Sequence, residues 1–155
     1  MKFLVLSDIH GSAESLEKAL ASFEKDCDAI ILLGDYLNHG PRNPLHQGWD
    51  TKRTAELLNS RKEKLICVRG NCDSEVDEMM LTFSCLNAYT TIVLSSHTHV
   101  TLMEEENGLF YFNPGSISLP KCEDGKTCGI LEVGGDSVKV SLHSIDGKLI
   151  REMKV

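Results

Sequence analysis

Four short apolar runs in this chain each lead directly into side chains that carry oxygen or nitrogen ligands. Phe3-Leu4-Val5-Leu6 runs into Ser7-Asp8-Ile9-His10-Gly11, and Ala29-Ile30-Ile31-Leu32-Leu33 into Gly34-Asp35. Leu65-Ile66-Cys67-Val68 runs into Arg69-Gly70-Asn71-Cys72-Asp73, and Thr90-Thr91-Ile92-Val93-Leu94 into Ser95-Ser96-His97-Thr98-His99. Runs of this length and composition read as buried strands. Strand side chains alternate with period 2, which predicts that Asp8 and His10 point the same way. In open α/β sheets the carboxyl ends of the strands are where ligands bind. Carboxylate, amide and imidazole donors gathered at one such edge suit a divalent transition metal. A turn Asp or a capping His explains any one of these motifs; four together need a shared cause.

The segments between the runs complete the pattern. Residues 12–23 place Leu16, Ala19, Leu20 and Phe23 at helical spacing, with Ser12 and Ser15 as N-cap candidates, so Phe3 to Leu33 predicts a βαβ unit. Residues 36–50 hold Asn38, His39, Gly40, Pro41, Asn43, Pro44, Gly48 and the chain's single Trp, at position 49, and read as a loop overhanging the site. Helices are expected at about 51–59 and 74–81. After His99 the character changes. Short strands are expected at 100–103, 109–112, 128–133, 137–142 and 148–150, separated by Asn107-Gly108, Gly134-Gly135-Asp136 and Asp146-Gly147, all hairpin signals.

Composition narrows the function. The 155 residues suit a single domain spanning 1–155 with one sizeable core. A net charge of -7 argues against a nucleic-acid-binding surface. No apolar run approaches the ~20 residues that span a bilayer, and Met1-Lys2-Phe3 enters a strand without a signal-peptide pattern. The six cysteines include Cys67 within an apolar run and form no CxxC, so reduced thiols and a cytoplasmic location are expected.

The ordered set Asp8-Ile9-His10, Gly34-Asp35, Gly70-Asn71-Cys72-Asp73 and His97-Thr98-His99 resembles the calcineurin-like metallophosphoesterases. The resemblance is to their small bacterial and archaeal phosphodiesterase branch. It is strengthened by Leu33 to Asn43, by Val68 to Asp77, and by Phe112-Asn113-Pro114-Gly115-Ser116, which looks like the turn that follows the histidine pair. It implies a four-layer α/β/β/α sandwich with a dinuclear metal site. By that resemblance Asp8, His10 and His99 hold one metal, Asn71 and His97 hold the other, and Asp35 bridges them. Mn²⁺ is the leading choice, with Zn²⁺, Fe²⁺, Ni²⁺ or Mg²⁺ as alternatives. The implied activity is hydrolysis of small phosphodiesters by in-line attack of a metal-bridging hydroxide.

Two departures stand out. Many relatives follow the Asn with a His, a candidate acid for the leaving group; this chain has Cys72, a poor proton donor to an alkoxide. His39, on the overhanging loop, is the substitute considered. The family also has a further strand ending in a ligand His, whereas no His lies between Gly48 and Ser96 here. The shortfall near residues 94–96 resembles a strand–helix–strand unit, on the order of 30 residues. Three explanations stay open: a segment not shown, a deletion that leaves the second metal short of a ligand, or a fold that has lost catalysis. The last corresponds to a non-catalytic scaffold like the retromer subunit.

Arg42 and Asn38 are the candidate substrate contacts, Arg42 through its bidentate fork. Arg69 is read as structural and Trp49 as a loop anchor or oligomer contact. His143 is read as a surface residue, and His46 has no partner legible in sequence. Cys122 and Cys128 flank a turn and are expected to approach across it. Exposed strand edges in the back half permit a homodimer or higher homo-oligomer.

Overall fold

The computed structural model describes residues 1–41, 43–46, 48–83, 85, 97–106, 109–134 and 137–154. The first three apolar runs are strands β1 (Lys2–Leu6), β2 (Ala29–Leu32) and β3 (Leu65–Cys67). They lie parallel in one sheet, with Leu4 opposite Ile30 and Ile31 opposite Ile66. The expected strand at 90–94 falls outside the described residues, as do Arg42 and the segment 86–96 in which the shortfall was placed.

The back half supplies five strands: β4 (Thr101–Glu106), β5 (Leu109–Pro114), β6 (Thr127–Gly134), β7 (Ser137–Ser144) and β8 (Leu149–Lys154). β6, β7 and β8 extend the first sheet with antiparallel pairing, giving the order β3-β2-β1-β6-β7-β8. Among the described residues β4 and β5 pair with each other alone, as an antiparallel ribbon.

Helices α1 (Ala13–Phe23) and α2 (Thr51–Asn59) cover one face of the large sheet. α1 buries Leu16, Ala19 and Leu20 at helical spacing and leaves Glu14, Glu17 and Lys18 in solvent. Ser12 caps α1 through its backbone conformation, without the expected side-chain bond, and Ser15 instead accepts from Lys126 Nζ at 2.8 Å. Asp50 caps α2 by accepting the Arg53 N–H at 2.9 Å. The expected helix at 74–81 is a single turn, α3 (Glu75–Glu78), opened by a Ser74–Asp77 capping box.

Alternation along the strands divides the core in two. Leu4, Leu6, Ile30 and Leu32 face the helices. Val5, Ile31, Leu33, Val140 and Leu142 face the ribbon, where Phe112 meets them. A sheet buried on both faces explains why β1 and β2 are continuously apolar. Gly129 on β6 makes this contact fit, since a Cβ there would lie 2.4 Å from the Phe112 ring. Helices, sheet and ribbon are three layers of the expected sandwich; no fourth, helical layer is seen among the described residues.

Candidate metal centre

The loops leaving β1, β2 and β3 meet one another and the segment 97–99 in a single cluster. His10 and His99 are both buried, and their rings stack at 5.1 Å. His10 Nδ1 lies 2.7 Å from the Asn38 carbonyl, and His99 Nδ1 lies 2.8 Å from the Leu119 carbonyl. A carbonyl only accepts, so each Nδ1 carries the proton and donates it. Each neutral ring then offers an Nε2 lone pair. Those two nitrogens face each other at 3.4 Å, with Asp8 Oδ1 3.0 Å from His99 Nε2. Asp8 Oδ1 and Asp35 Oδ2 each lie 3.7 Å from His10 Nε2.

Two lone pairs and two carboxylates converging in a buried space repel unless a proton or cation sits among them. Two nitrogens bound to one ion at about 2.1 Å in a tetrahedral arrangement stand about 3.4 Å apart, so the separation seen here fits a divalent ion. Asp8, His10 and His99 therefore fit a first metal site, Asp35 and Cys72 form a second group with His10, and the carbonyls behind the two rings hold them in the tautomer such a site needs.

Burial alone would push the Asp8 carboxyl up, but hydrogen bonds from His99 and Ser7 outweigh it and leave the group below its ordinary range. Burial dominates at His10, holding it below the usual histidine value and so neutral. At His99 burial also works downward, but the bond to Asp8 raises it further. A proton and a cation thus compete for His99 Nε2.

Asp8, His10, Asp35, His97 and His99 all have positive φ, between 47° and 84°, and no other described non-glycine residue does. This corrects the sequence expectation that strand alternation aims Asp8 and His10. β1 ends at Leu6 and β2 at Leu32; left-handed backbone turns the ligands inward. Such strain persists where surrounding bonds over-determine it. Here His10 N–H donates to the Asp35 carbonyl at 2.8 Å and Gly11 N–H to the Tyr36 carbonyl at 2.9 Å. The Ser116 and Ser118 hydroxyls donate to the Asp8 carbonyl at 3.1 and 2.7 Å.

Asn71 and His97 lie beside this cluster, on its solvent side, with His97 Nδ1 against Asn71 Oδ1. Both are exposed, unlike the first set. Asp35 lines the same cavity, so the three together offer an amide oxygen, an imidazole nitrogen and a carboxylate. Cys72 N–H donates to Asp35 Oδ1 at 2.8 Å, so its backbone orients the Asp35 carboxylate. Burial, then the nearby Asp35, pushes the Cys72 thiol up to about 12, so it keeps its proton at neutral pH.

One residue central to this geometry, Asp73, ends the third motif of the sequence without a role legible there. The buried Asp73 carboxylate accepts the N–H groups of Asp35 and Gly70 on one oxygen, at 2.8 and 2.7 Å, and that of Tyr36 on the other, at 2.8 Å. It clamps the loop after β2 to the loop after β3. Gly34 and Gly70 allow the clamp to close, since a Cβ on Gly34 would lie 2.2 Å from the Gly70 nitrogen. Ser118, Leu119 and Lys121 also went unread. Only the Asn113-Pro114-Gly115-Ser116 turn next to them carried a signal.

A cavity of about 480 Å³ opens over the cluster, lined by Asp35, Asn71, His97 and His99 together with Asn38, Asn43, Cys72 and Lys121. Asn38 thus stands at the site, its side chain accepting from Gly40 N–H. His39 does not line this cavity. Its ring meets Trp49 edge-on at 6.1 Å in a neighbouring groove. Trp49 pairs with Ser12, in keeping with a loop anchor. His46 Nε2 contacts the His10 carbonyl at 3.1 Å, and Arg69 donates to the Asp73 carbonyl. His143 is half-buried against Phe23 rather than on the surface. Cys122 and Cys128 do not approach each other: Cys128 is buried in β6, while Cys122 lies near Thr101 and the His99 carbonyl. All six thiols are free.

These features coincide with what comparison to known proteins finds. The family model for calcineurin-like phosphoesterases matches residues 1–150, and the chain belongs to that family. It is 36% identical over 161 aligned positions to the phosphodiesterase YfcE of Escherichia coli (strain K12), covering 85% of this chain and 88% of that protein. The solved structure of the E. coli phosphoesterase Yfce superposes with a TM-score of 0.88 at 33% identity, covering 99% of this chain and 98% of that one. Vps29 from Entamoeba histolytica, solved with Zn²⁺, superposes with a TM-score of 0.59 at 15% identity over 100% of this chain and 98% of its own; this likeness is one of fold alone. Since 85% of 155 residues fills a 161-position alignment, on the order of 30 positions of YfcE have no counterpart here, the size of the strand–helix–strand shortfall. No helix of the described residues is long and apolar enough to cross a membrane.

Proposed function

We propose that this chain is a divalent-metal-dependent phosphodiesterase acting on small phosphodiesters. The observation that carries the reading is the pair of buried Nε2 lone pairs 3.4 Å apart, flanked by Asp8 and Asp35. Asp8, His10, Asp35 and His99 would hold one ion, and Asp35, Asn71 and His97 a second. Mn²⁺ is the first candidate, since mixed oxygen and imidazole donors suit it. When bound, two such ions supply positive charge toward phosphate oxygens and make water acidic enough to attack near neutral pH.

The chain's own residues do the rest. Asn38 and Asn43 offer amides to a phosphodiester seated in the cavity, and Lys121 offers a cation at its rim. Arg42 is a further candidate on the same loop. Asp35, held at Oδ1 by Cys72 N–H, keeps its other oxygen toward His10. Cys72 keeps its proton and packs beneath Gly40 rather than donating to a leaving group. The choice of diesters rests on the likeness to a phosphodiesterase and on Cys72 standing where many relatives have a His.

Identity to a phosphodiesterase over most of the chain, and the presence of all six expected ligands, support catalysis over a scaffold role. The six free thiols support a reducing, cytoplasmic setting. The test is hydrolysis of bis(p-nitrophenyl) phosphate by chelator-stripped protein before and after Mn²⁺ addition. Activity should appear with Mn²⁺ and vanish in Asp35→Asn. Equal rates in chelator and in Mn²⁺, or full activity in Asp35→Asn, would overturn the proposal.

A further inference from the structure

Beside the metal cavity lies a second, smaller groove of about 280 Å³ whose walls include Leu37, His39, Trp49 and Met80. Asn38 lines both spaces, so the groove adjoins the cavity at that residue. Trp49 and Met80 are 40% and 39% exposed, a large aromatic and a thioether left open to solvent side by side. The one carboxylate at its edge, Asp77, is engaged by Ser74 N–H and hydroxyl, so the walls present apolar surface.

Trp49 is held in register with the metal ligands. It bridges to Ser12, Asp50 N–H donates to the Gly11 carbonyl at 2.8 Å, and the indole packs against Gly11, next to His10. The His39 ring stands edge-on to the indole at 86°, and both rings line the groove. The volume is close to the lower end of the ~300–1,000 Å³ usual for ligand pockets, enough for one ring system.

We infer that this groove is a specificity subsite for an aromatic ring carried on the ester group that the substrate retains after hydrolysis. The inference rests on the phosphodiesterase reading: a diester seated at the metal ligands has two ester arms, and the groove takes one past Asn38. Stacking of one ring on an indole is commonly worth a ten- to hundredfold gain in binding.

The test compares two Mn²⁺-dependent substrates with the same leaving group, thymidine 5′-p-nitrophenyl phosphate and methyl p-nitrophenyl phosphate. The wild type should favour the first in kcat/KM by tenfold or more, chiefly through KM. Trp49→Ala should bring the ratio near one. Met80→Lys, which charges the opposite wall at an exposed position, should do the same and covers a failure of the Trp49 variant to fold. An unchanged ratio in both folded variants would overturn the inference. The chain's single Trp gives a second readout: AMP should change its emission where methyl phosphate does not. If the wild type hydrolyses neither substrate, the phosphodiesterase reading fails, and the emission titration decides the groove, with equal responses to both phosphates refuting it.

Discussion

Replacing Asp73 by Ala removes the clamp between the loop carrying Asp35 and the loop carrying Asn71. Three backbone N–H groups lose their acceptor. At about 1–3 kcal/mol for each donor left without a partner, the loss is roughly 3–9 kcal/mol. Part of it is offset. Burial pushes the Asp73 carboxyl up to about 6 from an ordinary 3.8, against the N–H bonds that favour its ionised form. Holding it ionised at neutral pH costs about 3 kcal/mol, which the Ala variant no longer bears. The net expectation is a destabilisation of about 3 kcal/mol at pH 7. The raised value also fixes a sign. The wild-type penalty is complete above about pH 6 and is lifted as the pH falls toward 4, so wild type gains on the variant by about 1 kcal/mol between pH 7 and pH 5. Urea denaturation of both proteins in chelator, at the two pH values, reads both quantities. A cost below about 0.5 kcal/mol, or a gap that narrows toward pH 5, would refute the clamp.

Gly34→Ala puts a Cβ 2.2 Å from one backbone atom of Gly70 and 2.4 Å from another, at a φ of 94°. With no side chain able to swing aside, the variant should lose at least about 3 kcal/mol in denaturation and bind Mn²⁺ weakly, because the two loops must part. Because a proton and a cation compete for His99 Nε2, and its affinity for the proton is raised, Mn²⁺ affinity should fall as the pH drops below neutral. Calorimetric titrations in buffers of different ionisation heat should show proton release on binding. Cys72, pushed up to about 12 in the metal-free protein, should react with iodoacetamide at pH 7.5 far more slowly than a free thiol of ordinary value. Mass mapping of the alkylated protein checks it.

The sheet and its ligand edge were legible because apolar runs followed by Asp, Asn and His obey simple periodicity. The antiparallel extension β6-β7-β8 was legible from its Gly-containing turns. The means of convergence was not: alternation predicts a shared side for Asp8 and His10, whereas left-handed backbone held by loop-to-loop bonds achieves it. Those bonds pair residues far apart in sequence, such as Asp8 with Ser116 and Ser118, and periodicity carries no trace of them. Asp73 was hidden for the same reason. A carboxylate ahead of a short helix looks like a cap, and only the fold brings the Asp35 and Gly70 amides to it. His39 was misjudged by proximity in sequence. Its neighbour Asn38 reaches the cavity while His39 turns to Trp49.

The central claim is that these six ligands bind two divalent ions. Elemental analysis of protein stripped with chelator, incubated with Mn²⁺ and desalted should find two ions per chain, with one lost in His97→Ala. Fewer than two in the unaltered protein would contradict the dinuclear site, and none would contradict the metal centre itself.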